Sequence, residues 1–252
     1  MESPESERRF LKAHIWEERS SFRSDQQKGL PPPPAQKPYP PEARLIDLVA
    51  PADISVGRMP LIEAIGRRSS KRQYSAEALT LEELSFLAWA TQGVRQVLQS
   101  GVLLRTVPSA GARHAFETYL AILRVQSVEP GLYRYLSVEH KLCFLYADPK
   151  LPDRLIEGTY AQRFVGQAAV VFIWTVIPYR MEWRYGSISP KIIALDAGHV
   201  CQNLYLAAEA IGAGACAIAA YHQAKMDAIL GVDGQEEFTV YLAPVGKAPA
   251  RP

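Results

Sequence analysis

The stretch "GRRSSKRQY" (66–74) gathers four cations, Arg67, Arg68, Lys71 and Arg72, around two serines. Forked guanidiniums and hydroxyls are the donors that a phosphate monoester requires, bidentate charge-assisted bonds backed by neutral O–H groups. A solvated basic turn has the same composition. The spacing R-x-S-x-R-x-Y fits Arg68, Ser70, Arg72 and Tyr74, while a shift of one residue gives R-R-S at 67–69, so two registers stand open. A second stretch, "RTVPSAGARHAFETY" (105–119), is almost free of side-chain bulk at its centre. Pro108 fixes the entry and Ser109 offers a hydroxyl. Ala110, Gly111 and Ala112 leave backbone amides open to a flat or phosphorylated group, although a tight turn uses glycine equally well.

Other chemistries find little support. The five histidines show no H-x-x-H or H-E-x-x-H spacing for a metal, and no G-x-S-x-G elbow marks a serine hydrolase. Gly212, Gly214 and Ala217 satisfy G-x-G-x-x-A, but they follow a helical pattern where a dinucleotide fingerprint must follow a strand. A helix C-cap leading into a strand is the expected reading. His199, Gln202 and Asn203 interrupt an otherwise apolar helix and need partners, and His199 reads as a satisfied core residue. Lys247, in "VGK", lacks the remainder of a phosphate loop but offers one more cation.

The elements that must position these groups follow from pattern. Residues 1–57 read as an arm: "GLPPPPAQKPYPPEA" holds seven prolines in fifteen residues, an extended connector with no core of its own. The folded body, 58–252, opens with a helix at "MPLIEAI" that ends at "GRRSS". "LTLEELSFLAWATQG" is a helix started by the capping box of Thr80 and Glu83 and closed at Gly93. "FETYLAILRV" is a strand, "GLYRYLSVEHKLCFLY" a hairpin, and "AAVVFIWTVI" a central strand buried on both faces. "ALDAGHVCQNLYLAAEAIGAG" is a long helix with Val200, Leu204, Ala207, Ala208 and Ile211 on one face. "KMDAILGV" is a short helix and "FTVYLAPVGK" a closing strand. Without regular βαβ alternation, this order favours α+β over a doubly wound sheet.

Composition narrows the function classes. A net charge of +2 over 252 residues points to neither nucleic acid nor an anionic surface, and no apolar run reaches membrane-span length. The polar start "MESPESERRF" does not read as a secretory signal. Cys143, Cys201 and Cys216 form no C-x-x-C pair and read as buried thiols of a reducing, cytoplasmic compartment.

Taken in order, "RRSSKRQYSAEALTLEELSFLAWATQG", "RTVPSAGARHAFETY", "GLYRY", "LDAGHVCQNLYLAAEAIGAGACAI" and "VYLAPVGK" resemble the FMN-dependent nitroreductase superfamily. The likeness is strongest to its SagB-type dehydrogenase branch, whose azoline-oxidising members mature ribosomal peptides. It spans roughly residues 60–248, and the arm segment "HIWEERSSFR" is similar to that branch's N-terminal extension. The resemblance implies a nitroreductase-like α+β fold, a central mixed or antiparallel sheet flanked by helices, in an intertwined homodimer with two FMN molecules at the interface. It implies Arg68, Ser69, Ser70, Arg72 and Lys247 at the FMN phosphate end. Pro108, Ser109, Ala110 and Gly111 would line the flavin from the partner chain. Ala217, Ile218, Ala219 and Ala220 would pass the ring where classical members carry P-x-E-G, so ring tuning falls to backbone amides. Gln202 and Asn203 match the branch's Q-N pair. Arg184 and Tyr185 stand where azoline oxidases have Lys-Tyr; an arginine stays protonated and is a poor base, leaving Tyr185 as the acid/base candidate. The implied activity is two-electron (hydride) transfer in a ping-pong cycle, with NADH or NADPH as donor and a small-molecule or peptide substrate. Azoline dehydrogenation and a non-catalytic flavin-binding scaffold are the alternatives.

Overall fold

The computed structural model describes residues 8–13, 16–17 and 23–249. Its principal sheet is built from β1 (Leu45–Asp47), β4 (Phe116–Ile122), β5 (Gly131–Leu136), β6 (Lys141–Tyr146), β7 (Val170–Val176), β8 (Ala213–Ala215) and β9 (Phe238–Lys247). The strand order is β1-β6-β5-β4-β7-β9-β8, and every neighbouring pair is antiparallel. A separate ribbon pairs β2 (Val94–Val97) with β3 (Leu103–Arg105). The helices are α1 (Leu61–Arg67), α2 (Leu81–Gln92), α3 (Leu151–Gly158), α4 (Arg163–Gly166), α5 (Tyr179–Tyr185), α6 (Ser189–Ala210) and α7 (Gln223–Leu230). The α+β expectation holds, and the sheet is antiparallel.

β7 is buried along its whole length, as its unbroken apolar run requires. Successive side chains of a strand point to opposite faces. Phe172 and Trp174 therefore join the core under α2 and α6, while Val171 and Ile173 join a second core beneath α3 and α7. Burying each such side chain contributes about 1.5–3 kcal/mol, so the central strand is the firmest part of the frame.

α2 begins at the expected capping box. The Thr80 hydroxyl accepts from the Glu83 N–H at 3.1 Å, and the Glu83 carboxylate accepts from the Thr80 N–H at 2.9 Å. Thr80→Ala is expected to cost about 1 kcal/mol, read as a lowered urea midpoint at unchanged slope. α6 starts at Ser189, earlier than the apolar pattern shows, and ends where Gly212 takes φ +69° to turn the chain into β8. That is the cap expected in place of a dinucleotide fingerprint.

The segment read as an arm is fastened to the body by its backbone. Trp183 Nε1 donates to the Leu30 carbonyl at 3.0 Å, Arg105 to Ala35 at 3.0 Å, and Arg134 to Pro38 at 2.8 Å. Leu45–Asp47 then adds β1 to the edge of the sheet against β6, a strand too short to stand out in the sequence. All three cysteines are buried and free. Among the described residues, no helix is long and apolar enough to cross a membrane.

Candidate functional site

The cationic turn follows α1 and is laid against β8. Ser70 bridges Ala215 in a parallel sense, and the Lys71 N–H donates to the Ala215 carbonyl at 2.9 Å. The four cations divide into two kinds. Arg67 meets Glu63 at 2.6 Å and Glu209 at 3.5 Å, and Lys71 meets Glu209 at 2.8 Å. Arg68 and Arg72 have no carboxylate partner among the described residues. The Arg68 guanidinium lies 5.3 Å from the Tyr205 ring centroid, and Arg72 bonds the Cys216 thiol, drawing down a pKa that burial raises. The free donors are thus Arg68 and Arg72, which favours the Arg68-Ser70-Arg72 register. Ser69 is exposed beside them.

Tyr205 joins this turn to the segment expected at the ring. Its hydroxyl is 2.9 Å from Ser70 Oγ and accepts the Ala217 N–H at 2.8 Å. The Ile218 N–H donates to Leu242 at 2.8 Å. The amides of Ala217 and Ile218 are therefore engaged within the protein, and those of the exposed Ala219 and Ala220 remain. Sequence alone gave no signal for Tyr205 beyond its place on the same helix as the Q-N pair.

Ala219 borders an apolar groove of about 810 Å³ that runs beside α6, with Ile193, Ala194, Ala197 and Gly198 along one wall and Val240 and Tyr241 on another. Small residues on the helix leave its wall flat, and the volume suits a ligand of cofactor size. The donors of the cationic turn suit the phosphate of a flavin mononucleotide, and the groove bordered by Ala219, two residues beyond the Ala217 amide that Tyr205 holds, suits its ring.

The Pro-Ser-Ala-Gly turn lies elsewhere. Ser109 donates to Asp196, whose carboxylate also accepts the Ala110 N–H at 3.3 Å, and Ser109 Oγ accepts the His114 N–H at 2.9 Å. Burial raises the Asp196 pKa against these bonds. Burial also holds the neighbouring His114 down at about 3, so its imidazole is neutral. Gly111 takes φ +58°, and a Cβ there would stand 2.8 Å from Tyr185 Oη and 2.9 Å from Arg184 Cδ and Nε. Only glycine allows that approach. The turn thereby meets the Arg184-Tyr185 pair at the end of α5, while Pro108 is exposed. At ~1.5 Å per residue, Asp196 and Tyr205 stand roughly 13 Å apart along α6. Asp196 faces the turn, whereas Ile193 and Ala197 face the groove. Within one chain the helix stands between the two motifs.

Two expected residues sit differently from the sequence reading, and a third finds the partner it needs. His199 is not a core residue: its side chain is 51% exposed, with Nδ1 3.8 Å from Asp196. The helix face that carries it, with Leu195, Gly198 and Gln202, is uncovered in a single chain. Lys247 is not a free cation, because its ammonium donates to Glu83 at the start of α2 and to the Ile211 carbonyl at 3.2 Å. Asn203 is tied down too, donating to Ala90 at 2.9 Å and fastening α6 to α2.

The Nitroreductase family profile matches residues 65–247, most of the chain. The chain belongs to the nitroreductase family. A nitroreductase-family protein of Methanocaldococcus jannaschii is 32% identical over 187 residues, 74% of this chain and 90% of that one. The nitroreductase fold recurs in a Ralstonia eutropha structure at TM-score 0.68 and 27% identity, covering 88% of this chain and all of that one. An Escherichia coli microcin synthetase McbBCD complex with truncated pro-MccB17 bound contains a chain at TM-score 0.61 and 16% identity, covering 99% of this chain and 95% of that one. The NADPH:FMN oxidoreductase of Vibrio harveyi, complexed with NAD+, matches at TM-score 0.54 and 18% identity over 76% of this nitroreductase-family chain and 70% of its own. The last two likenesses are of fold alone.

Proposed function

We propose that this nitroreductase-family oxidoreductase is an FMN-dependent enzyme that works as a homodimer and transfers two electrons as hydride. The observation that carries this reading is the pair of carboxylate-free cations, Arg68 beside Tyr205 and Arg72 beside Cys216, on the chain segment that leads through Ala217 to Ala219 at the edge of a flat-walled apolar groove. FMN, when bound, supplies hydride acceptance from a donor such as NADH or NADPH and hydride return to a second substrate. Arg68, Ser70 and Arg72 hold the phosphate with Ser69 beside them, and Ala219 and Ala220 offer their amides to the ring. Ser109, Ala110 and Gly111 reach the groove from the second copy, because α6 bars them from the groove of their own chain. The uncovered face of α6, with Leu195 at 56% exposure, is where that copy packs. The segment before residue 58 is more than an arm on the catalytic domain, 58–252, because its Leu45–Asp47 supplies β1 to the sheet.

Near the reacting centre, Tyr185 is the group able to hold or release a proton, at its Oη. Arg184 beside it orients or stabilises negative charge. A second reading, membership of the SagB-type branch with azoline dehydrogenation on a peptide, is compatible with the fold shared with a chain of the McbBCD complex, which covers 99% of this chain at 16% identity. Arginine in place of the Lys-Tyr lysine counts against it. Anaerobic titration tests the proposal: NADH or NADPH should bleach the flavin absorbance, and air or a nitroaromatic should restore it. Flavin that no donor bleaches would mark a scaffold and contradict the enzyme reading. Bleaching of the oxidised flavin by a thiazoline-bearing peptide under anaerobic conditions, with the peptide oxidised to the thiazole, would favour the second reading.

A further inference from the structure

Besides Arg68 and Arg72, a second pair of cations has no carboxylate partner among the described residues. Arg113 follows the Pro-Ser-Ala-Gly turn and Arg184 ends α5. The buried Arg180 meets Glu117 at 2.6 Å, and Arg105 donates to Gln92 at 2.5 Å and to Ala35, although each keeps one nitrogen without a partner. Arg113 instead donates Nε to the Arg180 carbonyl at 3.0 Å, with its guanidinium 4.5 Å from the Trp183 ring centroid. The Arg184 guanidinium stands 5.6 Å from the Tyr185 ring centroid, and Trp16 meets the same tyrosine edge-on at 6.1 Å. Burial holds the Arg113 pKa below its ordinary value, and the Arg184 charge depresses it further. Two half-buried like charges raise each other's energy, and a bound anion reverses that cost. Gly111, two residues before Arg113, comes close to Arg184: a Cβ there would stand 2.9 Å from its Cδ and Nε.

We propose that Arg113 and Arg184 form an oxyanion subsite that receives the carboxylate or phosphate of a ring-bearing substrate, with Tyr185 and Trp16 beside the ring. Planar forks suit both oxyanions, and the neighbouring aromatic faces suit the flat body that carries them. Assigning the anion to a reaction partner rests on the oxidoreductase reading above. Two sources share the chemistry, a carboxylate on the electron-accepting substrate and the 2′-phosphate of NADPH.

Titration calorimetry on the full-length protein separates them. 4-Nitrobenzoate is compared with 4-nitrobenzamide, and NADPH with NADH, with flavin absorbance recorded for every sample. At least one probe should bind about tenfold or more tighter than its counterpart lacking the carboxylate or 2′-phosphate, the usual worth of a charged hydrogen bond. Arg113→Gln and Arg184→Gln should each remove most of that preference, and Arg113→Lys should restore part of it. Preference for nitrobenzoate assigns the site to the acceptor, and preference for NADPH assigns it to the donor. No preference in either pair, or a preference that survives both glutamine substitutions, overturns the subsite. Arg184 makes no hydrogen bond among the described residues, so its variant should fold, and a thermal melt checks this. Flavin-free protein that still discriminates would keep the subsite and sink the flavin reading; flavin-bound protein that does not would do the reverse.

Discussion

Glu117→Ala is expected to cost about 3–5 kcal/mol of folding stability, the usual price of leaving a buried cation without its partner. The carboxylate is 3% exposed and sits 2.6 Å from Arg180, itself 2% exposed. It also accepts the Lys37 N–H of the arm at 2.7 Å. Arg105 depends on the same charge: burial lowers its pKa to about 10, and Glu117 opposes that fall. Removing Glu117 therefore strands two guanidiniums beneath the sheet and unfastens the arm at one point. For a chain of this size the melting temperature should fall by roughly 10 °C, measured by calorimetry. Glu117→Gln keeps an acceptor but loses the charge, and should lie between the two. A melting temperature for the alanine variant within about 2 °C of the parent would show that the ion pair is not what holds this region.

Arg68→Ala should weaken FMN binding by about 1.5–3 kcal/mol, or roughly ten- to a hundredfold in Kd. Arg68 is half-buried over Tyr205 and has no carboxylate to neutralise it. Its side chain is thus preorganised for an anion without an internal competitor. Arg67→Ala is the matched control, because Arg67 already serves Glu63 and Glu209. Fluorescence quenching of free FMN reads both. Equal losses in the two variants would favour the alternative register, and unchanged retention in Arg68→Ala would remove the turn from the phosphate site.

Much of the frame was legible because its signals are local. The run at 170–176 has no polar residue facing either side except Thr175, so a strand buried on both faces was the natural reading. The Thr80-Glu83 box needs only a spacing of three. β1 escaped because three residues, Leu45–Asp47, carry no periodicity until β6 supplies their partners. Asp196 and Arg113 escaped for a related reason: their significance lies in contacts with residues distant in sequence, Ser109 for one and Arg184 for the other. The ion pair of Lys247 escaped because Glu83, its partner, lies far away along the chain. His199 reads as a satisfied core residue because a polar group in an apolar helix needs a partner, but the pattern does not say which face of that helix a single chain covers.

The central claim, a flavin mononucleotide held where two copies meet, is tested most directly by chromatography with light scattering and absorbance on protein reconstituted with excess FMN. The account predicts a yellow dimer that retains one FMN per protomer after the excess is removed. A colourless monomer that takes up no FMN would contradict it.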